Sequence, residues 1–476
     1  MKKLLMGALR PETYDASTSR CRSGPPKPYV YRLDASGGRT ESATGRRGMR
    51  MWFPTYPARA GMIAAALALA ACADEPTAVK GRAPGEAELA GNPDLEVRRV
   101  QLGRRLFFDR ELSLHGNQSC ASCHDPDWGF SGPSSQVNAH GAVFEGSVAG
   151  AFGNRRPPSA AYATFSPVLR LEGPYVGGNF WDGRATGQRL GDAAAEQAQG
   201  PFLNPAEMAL RDAACVVQRV SQGRYAALWA SVYGEGASAI ALPSDASSLC
   251  AAAGGPLPLS EAVRAQVQVE YDNIARAIAA FEGSKHVNAF TSRFDAFLAG
   301  RAELTEQERL GLQLFNGKAR CTVCHSSGGT QPLFTNFRYS NLGVPRNPEN
   351  PVYAGQPGFV DYGLGAFLGA AAQQGKFKSP TLRNVDRRPQ GSDVKAYMHN
   401  GVFKSLETVV HFYNTRDVLP RCETVAEPVV GENCWPAPEV AANMVTGIVG
   451  NLGLTPAEEA AVVAYMQTLS DGYFER

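Results

Sequence analysis

The sequence predicts a mainly α fold built as two tandem units joined by long irregular loops, and three observations predict it. Few stretches alternate apolar and polar residues with period two, whereas several place apolar residues at helical spacing. One helical phrase occurs twice, as Leu102-Gly103-Arg104-Arg105-Leu106-Phe107 and as Leu310-Gly311-Leu312-Gln313-Leu314-Phe315. A Cys-x-x-Cys-His motif follows each copy, at Cys120-Ala121-Ser122-Cys123-His124 and at Cys321-Thr322-Val323-Cys324-His325. With 476 residues, 44% of them hydrophobic and 19% charged, the chain is long enough for two or three domains with sizeable cores.

Residues 1–72 read as a leader and a lipoprotein signal peptide. Gly61 to Ala71 is one apolar run, too short for an ordinary membrane span, flanked by Arg46, Arg47, Arg50 and Arg59. Leu69-Ala70-Ala71-Cys72 resembles a bacterial lipobox. That resemblance implies lipidation of Cys72, and Ala73 behind it permits sorting to the periplasmic face of the outer membrane. A plain cleaved signal with a chance cysteine is the alternative. Met1 to Gly48 precede the signal, so Met49 or Met51 reads as the start. Residues 73–93, polar and proline-bearing, read as a flexible tether.

Residues 94–290 form the first expected domain. Its opening phrase sets Leu102 and Leu106 at i and i+4, and Leu259 to Phe281 carries a long helical pattern through Val263, Val267, Tyr271, Ile274 and Ile278. Residues 291–476 form the second. Its phrase, with Leu310 and Leu314 at i and i+4, is opened by a capping box of Thr305 and Glu308. Thr455 to Leu469 reads as a closing helix, with a Thr cap and Pro456 in its first turn. Gly132 to Gly178 and Ser326 to Lys376 are too long for bare connectors and are expected to wrap a prosthetic group.

Two thiols three residues apart suit addition across the two vinyl groups of haem, with the adjacent histidine presented to the iron. A redox dithiol would open a helix in a βαβ pattern, and zinc would need both dithiols together; these lie 201 residues apart in similar repeats. The motifs therefore assign two covalently bound c-type haems, with Cys120, Cys123 and His124 holding one and Cys321, Cys324 and His325 the other. Each unit then reads as cytochrome c-like. Cys215, Cys250, Cys422 and Cys434 remain as an even set in an exported chain; Cys422–Cys434 is the first pairing expected and Cys215–Cys250 the second, among three connectivities. A formal charge of +2 without long basic runs argues against a nucleic-acid partner.

From about Val97 to Gly472 the chain resembles the bacterial di-haem cytochrome c peroxidase family, including its MauG-like branch. The phrases that carry the resemblance are Leu106-Phe107-Phe108-Asp109, Cys120 to Asp125 with Gly129-Phe130, Phe180-Trp181-Asp182-Gly183-Arg184-Ala185, Glu196-Gln197-Ala198, Asn204-Pro205-Ala206-Glu207-Met208, Pro380-Thr381-Leu382-Arg383-Asn384 and Tyr397-Met398-His399-Asn400-Gly401. The resemblance implies that hydrogen peroxide meets the N-terminal haem while the C-terminal haem transfers electrons. Glu207 matches a distal acid that shuttles a proton between peroxide oxygens; as plain structure it would be a helix-start acid. Gln197 matches a distal hydrogen-bond donor, or else faces solvent from a helix. Trp181 matches an indole bridging the haems, or is core.

The resemblance also places Tyr413 as sixth ligand of the C-terminal iron, where the peroxidase branch has methionine and the MauG-like branch tyrosine; a buried helix tyrosine is the alternative. A phenolate favours ferric and higher iron. Met398, Met444 and Met466 are rival ligands. His140 lies where the peroxidase branch has a removable distal ligand, but Gly141 to Gly153 reads as an insertion, and a five-coordinate iron is favoured. His399 matches a family position near the second haem and reads as structural. Arg156 stands where a side-chain oxygen would bind the family's interdomain calcium, which counts against that ion. Three functions compete: MauG-like oxidation of a partner protein, with Trp128, Trp229 and Trp435 as candidate surface exits or else core; peroxide reduction with a small periplasmic redox protein; and electron transfer without catalysis. The only membrane contact expected is through the lipid anchor.

Overall fold

The repeated Leu-Gly phrase puts a glycine on the buried face of a helix in each half, and that glycine sets how each half packs. A computed structural model describes residues 91–473; the leader, Cys72 and nearly all of the tether lie outside the described residues. The helix Pro93–Phe107 packs on Glu261–Gly283, and Glu306–Asn316 packs on Pro456–Gln467. A Cβ at Gly103 would sit 1.8 Å from the Ala277 carbonyl oxygen, and one at Gly311 would sit 1.9 Å from that of Ala461. Only hydrogen fits at either crossing. We expect Gly103→Ala and Gly311→Ala each to lower unfolding stability by about 1–3 kcal/mol or more through overpacking. Gly153→Ala, where a Cβ meets nothing within 4 Å, should be near neutral; denaturant titration checks all three.

Helix ends follow the expected capping. Thr305 with Glu308, and Thr455 with Glu458, form reciprocal capping boxes, and Ser260 caps Glu261–Gly283. Asn92 caps Pro93–Phe107, so Pro93, read from the sequence as the last tether residue, is the first of a helix. The i, i+4 expectation holds for Leu102 and Leu106, both fully buried, but Leu310 is 41% exposed. In the second half the buried face is instead Gly311, Leu314 and Phe315.

Two large hydrophobic clusters hold most of the apolar core, beside a small third one of Leu169, Tyr339 and Leu364. One runs from Leu102 to Val287 and contains Phe107, Phe202, Ile274 and Phe281. The other runs from Phe294 to Leu469 and contains Phe315, Phe412, Trp435 and Tyr465. Helices Ala193–Leu203 and Ala213–Gln222 pack against Glu261–Gly283, and Leu406–Thr415 packs against Pro456–Gln467. Strand content among the described residues is two antiparallel pairs, Arg170–Leu171 with Tyr175–Val176 and Tyr339–Ser340 with Phe377–Lys378. Disulfides join Cys215 to Cys250 and Cys422 to Cys434, the two pairs expected. Among the described residues no helix is long and apolar enough to cross a membrane.

Candidate functional site

Each Cys-x-x-Cys-His motif opens as a single 3-10 turn, Cys120–Ser122 and Cys321–Val323. The tight turn brings the histidine amide onto the first cysteine's carbonyl, at 2.9 Å for His124 and 2.8 Å for His325. Each imidazole then fixes its Nδ1 on a backbone carbonyl: His124 on Phe130 at 3.1 Å, His325 on Phe334 at 2.8 Å. Both acceptors sit at positive φ, 56° and 52°, a costly backbone for phenylalanine that recurs at the same place in each half. With Nδ1 engaged, Nε2 is left for a metal, and burial pulls both imidazoles below their usual pKa, toward the neutral ligand form.

One cavity opens beside each motif, the first around His124 and the second around His325. Cys120 and Cys123 line the first, Cys321 and Cys324 the second, and all four thiols are free. The histidine and the free thiol pair lining each cavity fit one c-type haem in each half.

The first cavity also gathers Gln197 and Glu207. Gln197 projects from Ala193–Leu203; Glu207 lies in the turn beyond that helix, so it is not the helix-start acid considered above. The Asn204 amide donates to Glu207 Oε1 at 2.7 Å and aims the carboxyl. Burial raises the Glu207 pKa above the usual carboxylate value, with Arg184 opposing. Arg184, not singled out in the sequence, lines the same cavity. It lies 3.7 Å over the Phe180 ring and donates to both oxygens of Asp182 at 3.0 Å. His140 does not line this cavity. Its side chain is 67% exposed and faces Glu349 at 3.5 Å, because the short helix Ser135–Ala139 ends just before it and turns it outward.

Tyr413, on Leu406–Thr415, faces the second cavity together with His325, and burial raises its phenol pKa. Met398 and Met466 line that cavity as well; Met444 does not, and packs instead over Gly343. His399 is also there, buried, stacked on Phe377 with ring centroids 3.5 Å apart. Trp181 lines both cavities and is 6% exposed, with its Nε1 donating to the Arg156 carbonyl at 2.8 Å. The three tryptophans expected as surface exits are core: Trp128, Trp229 and Trp435 are 6%, 2% and 0% exposed.

Calcium needs a shell of oxygen ligands, and the side chain that stands at the ligand position in question, Arg156, is a cation. Arg156 itself donates to the Met398 carbonyl at 3.0 Å and the Pro157 carbonyl at 3.3 Å. The Lys395 ammonium takes the carbonyls of Trp128, Asn384 and Arg387 at 2.8, 3.0 and 2.8 Å. Among the described residues no cluster of three or more His, Cys, Asp or Glu is placed to hold a metal ion.

Residues 97–303 match the family model described as di-haem cytochrome c peroxidase. The methylamine utilization protein MauG of Paracoccus denitrificans is 34% identical over 411 residues, 84% of this chain and 95% of that protein. The cytochrome-c peroxidase IdrP2 of Denitromonas iodatirespirans is 27% identical over 87% of this chain and 92% of its own length. Among solved structures, the diheme peroxidase BthA of Burkholderia thailandensis superposes with a TM-score of 0.62 at 30% identity, covering 80% of this chain and 86% of that one.

Proposed function

This chain belongs to the di-haem cytochrome c peroxidase family of oxidoreductases, and on that footing we propose that it uses hydrogen peroxide to withdraw electrons from a partner protein. Haem, when bound, supplies an iron that peroxide can oxidise. The Glu207 carboxylate takes the proton from one peroxide oxygen and returns it to the other, so that water can leave. Gln197 offers an amide donor to the same space. Trp181, common to both cavity walls, provides the path between the two halves. The observation that carries the MauG-like reading is that Tyr413 lines the same cavity as His325, because a phenolate donor stabilises oxidised iron. We place the enzyme at the periplasmic face of the outer membrane, anchored through Cys72.

Met398 and Met466, which face the same cavity, favour the second reading: peroxide reduction fed by a small periplasmic redox protein. A cytochrome without catalysis would have no use for a buried carboxyl aimed into the first cavity. Electron paramagnetic resonance of the resting ferric protein tests the assignment. One high-spin and one low-spin iron, with the low-spin signal lost in Tyr413→Phe, is the expected result. A low-spin signal unchanged by that substitution removes the reason for preferring partner oxidation. Steady turnover with a reduced small cytochrome and peroxide would move the function to the second reading.

A further inference from the structure

The wall shared by the two cavities holds two buried cations that no carboxylate balances. Lys378 and Arg156 each line both cavities. Lys378 Nζ meets only neutral oxygens, Ser166 Oγ at 2.7 Å, Asn179 Oδ1 at 2.9 Å and the Gly178 carbonyl. The partners of the Arg156 guanidinium are likewise backbone carbonyls. Lys395, which lines the second cavity alone, is also held only by backbone carbonyls, but two other neighbouring cations are paired. Arg383 is paired with Asp295 at 2.7 Å, and Arg155 with Asp361 and Asp182, both at 2.7 Å. Burial without a counter-charge pulls Lys378 down to about 7 and Arg156 down to about 10. A buried, unpaired cation is costly unless an anion joins it.

We propose that Lys378 and Arg156 form a shared cationic seat for haem propionates, so that one pair of side chains raises the electron affinity of both irons. This rests on the reading that two haems occupy the two cavities. Haem brings two carboxylates to each cavity, which is the anion class the wall lacks. The seat is rigid: the Lys378 amide donates to the Trp181 carbonyl at 2.9 Å, and the Arg156 carbonyl accepts from the Trp181 indole. Strand pairing with Tyr339 fixes Lys378 further. Arg156 and Lys378 are thus both tied to Trp181, one through its indole and the other through its backbone carbonyl, and each lies on the wall of both cavities. Their charge favours the reduced, less positive state of either iron.

Spectroelectrochemical titration of both haems tests this in the wild-type protein and in Lys378→Met, Arg156→Gln, Lys378→Arg and Lys285→Met. Lys378→Met and Arg156→Gln should lower both midpoint potentials, each shifting the ferric-to-ferrous equilibrium on the order of tenfold, as for loss of one nearby charge at an effective dielectric of about 20. Lys378→Arg should restore the wild-type values. The exposed Lys285→Met, which removes the same charge from the surface, should leave them unchanged. If either charge-removing variant fails to accumulate, the other carries the same test. Two haems per chain with potentials unmoved, or only one potential moved, would overturn the proposal alone. Potentials that follow chloride or phosphate concentration would assign the seat to a solute anion and overturn it too. A wild-type count below two haems would instead overturn the reading on which it rests.

Discussion

Glu207→Gln is expected to slow the reaction of the ferric protein with hydrogen peroxide by about 10²–10⁴-fold, the usual contribution of a positioned general acid–base group. The substitution keeps the shape and the hydrogen-bonding partner Asn204, whose amide lies 2.7 Å from the wild-type carboxyl. It removes only the group that can take and return a proton. Haem content and resting spectrum should therefore match the wild-type protein. The pH profile adds a sign. Burial raises the Glu207 pKa above its ordinary 4.5, and the carboxyl must be ionised to accept the first peroxide proton. The wild-type rate should fall as pH drops through a value above the usual glutamate range, and the glutamine variant should lose that limb. Stopped-flow traces across pH measure both. A variant that reacts at the wild-type rate, with the limb intact, would assign the proton transfer to another group. Arg184 is the nearest alternative influence, since its charge opposes the rise in the Glu207 pKa.

The sequence made one class of feature legible and hid another. Local chemistry was readable: two Cys-x-x-Cys-His motifs, the capping boxes at Thr305 and Thr455, and the repeated Leu-Gly phrase all depend on residues within a turn or two of each other. Even there, Leu310 escaped, because a leucine on the solvent side of a helix satisfies i, i+4 spacing as well as a buried one does. Long-range placement was not readable. His140 matched a ligand by its distance along the chain from His124, yet it caps the end of Ser135–Ala139 and faces Glu349. Trp128, Trp229 and Trp435 looked like surface relays, yet aromatic area is most often buried, and so it is here. The cationic wall was invisible for the same reason. Arg156 and Lys378 lie 222 residues apart and meet only through the strand pair Tyr339–Ser340 with Phe377–Lys378 and the Trp181 loop. Gly129-Phe130 was the one available hint of the carbonyl that orients His124, and its counterpart at Phe334 lacks the preceding glycine.

Tyr413→Met should raise the midpoint potential of the C-terminal haem by on the order of 0.1–0.3 V, well inside the roughly 0.8 V that axial ligands span. The reason is the exchange of an anionic, hard oxygen donor for a neutral, polarisable thioether, which stabilises the reduced state. Leu406–Thr415 is anchored by its Ser405 cap and by Phe412, which is fully buried, so the side chain at 413 is carried by a fixed backbone toward the cavity. Methionine has the length and flexibility to follow the same path. The functional consequence separates the two enzymatic readings. With a readily reduced C-terminal haem, electrons should flow from a small donor to peroxide, so turnover with a reduced cytochrome should appear or rise. Withdrawal of electrons from a partner protein should fall, because the oxidised state is no longer favoured at that iron. Spectroelectrochemistry and parallel assays with the two kinds of partner measure these opposite changes. A potential that stays put would mean that Tyr413 does not bind the iron. Met398→Leu and Met466→Leu would then test the two methionine sulfurs that line the same cavity as His325.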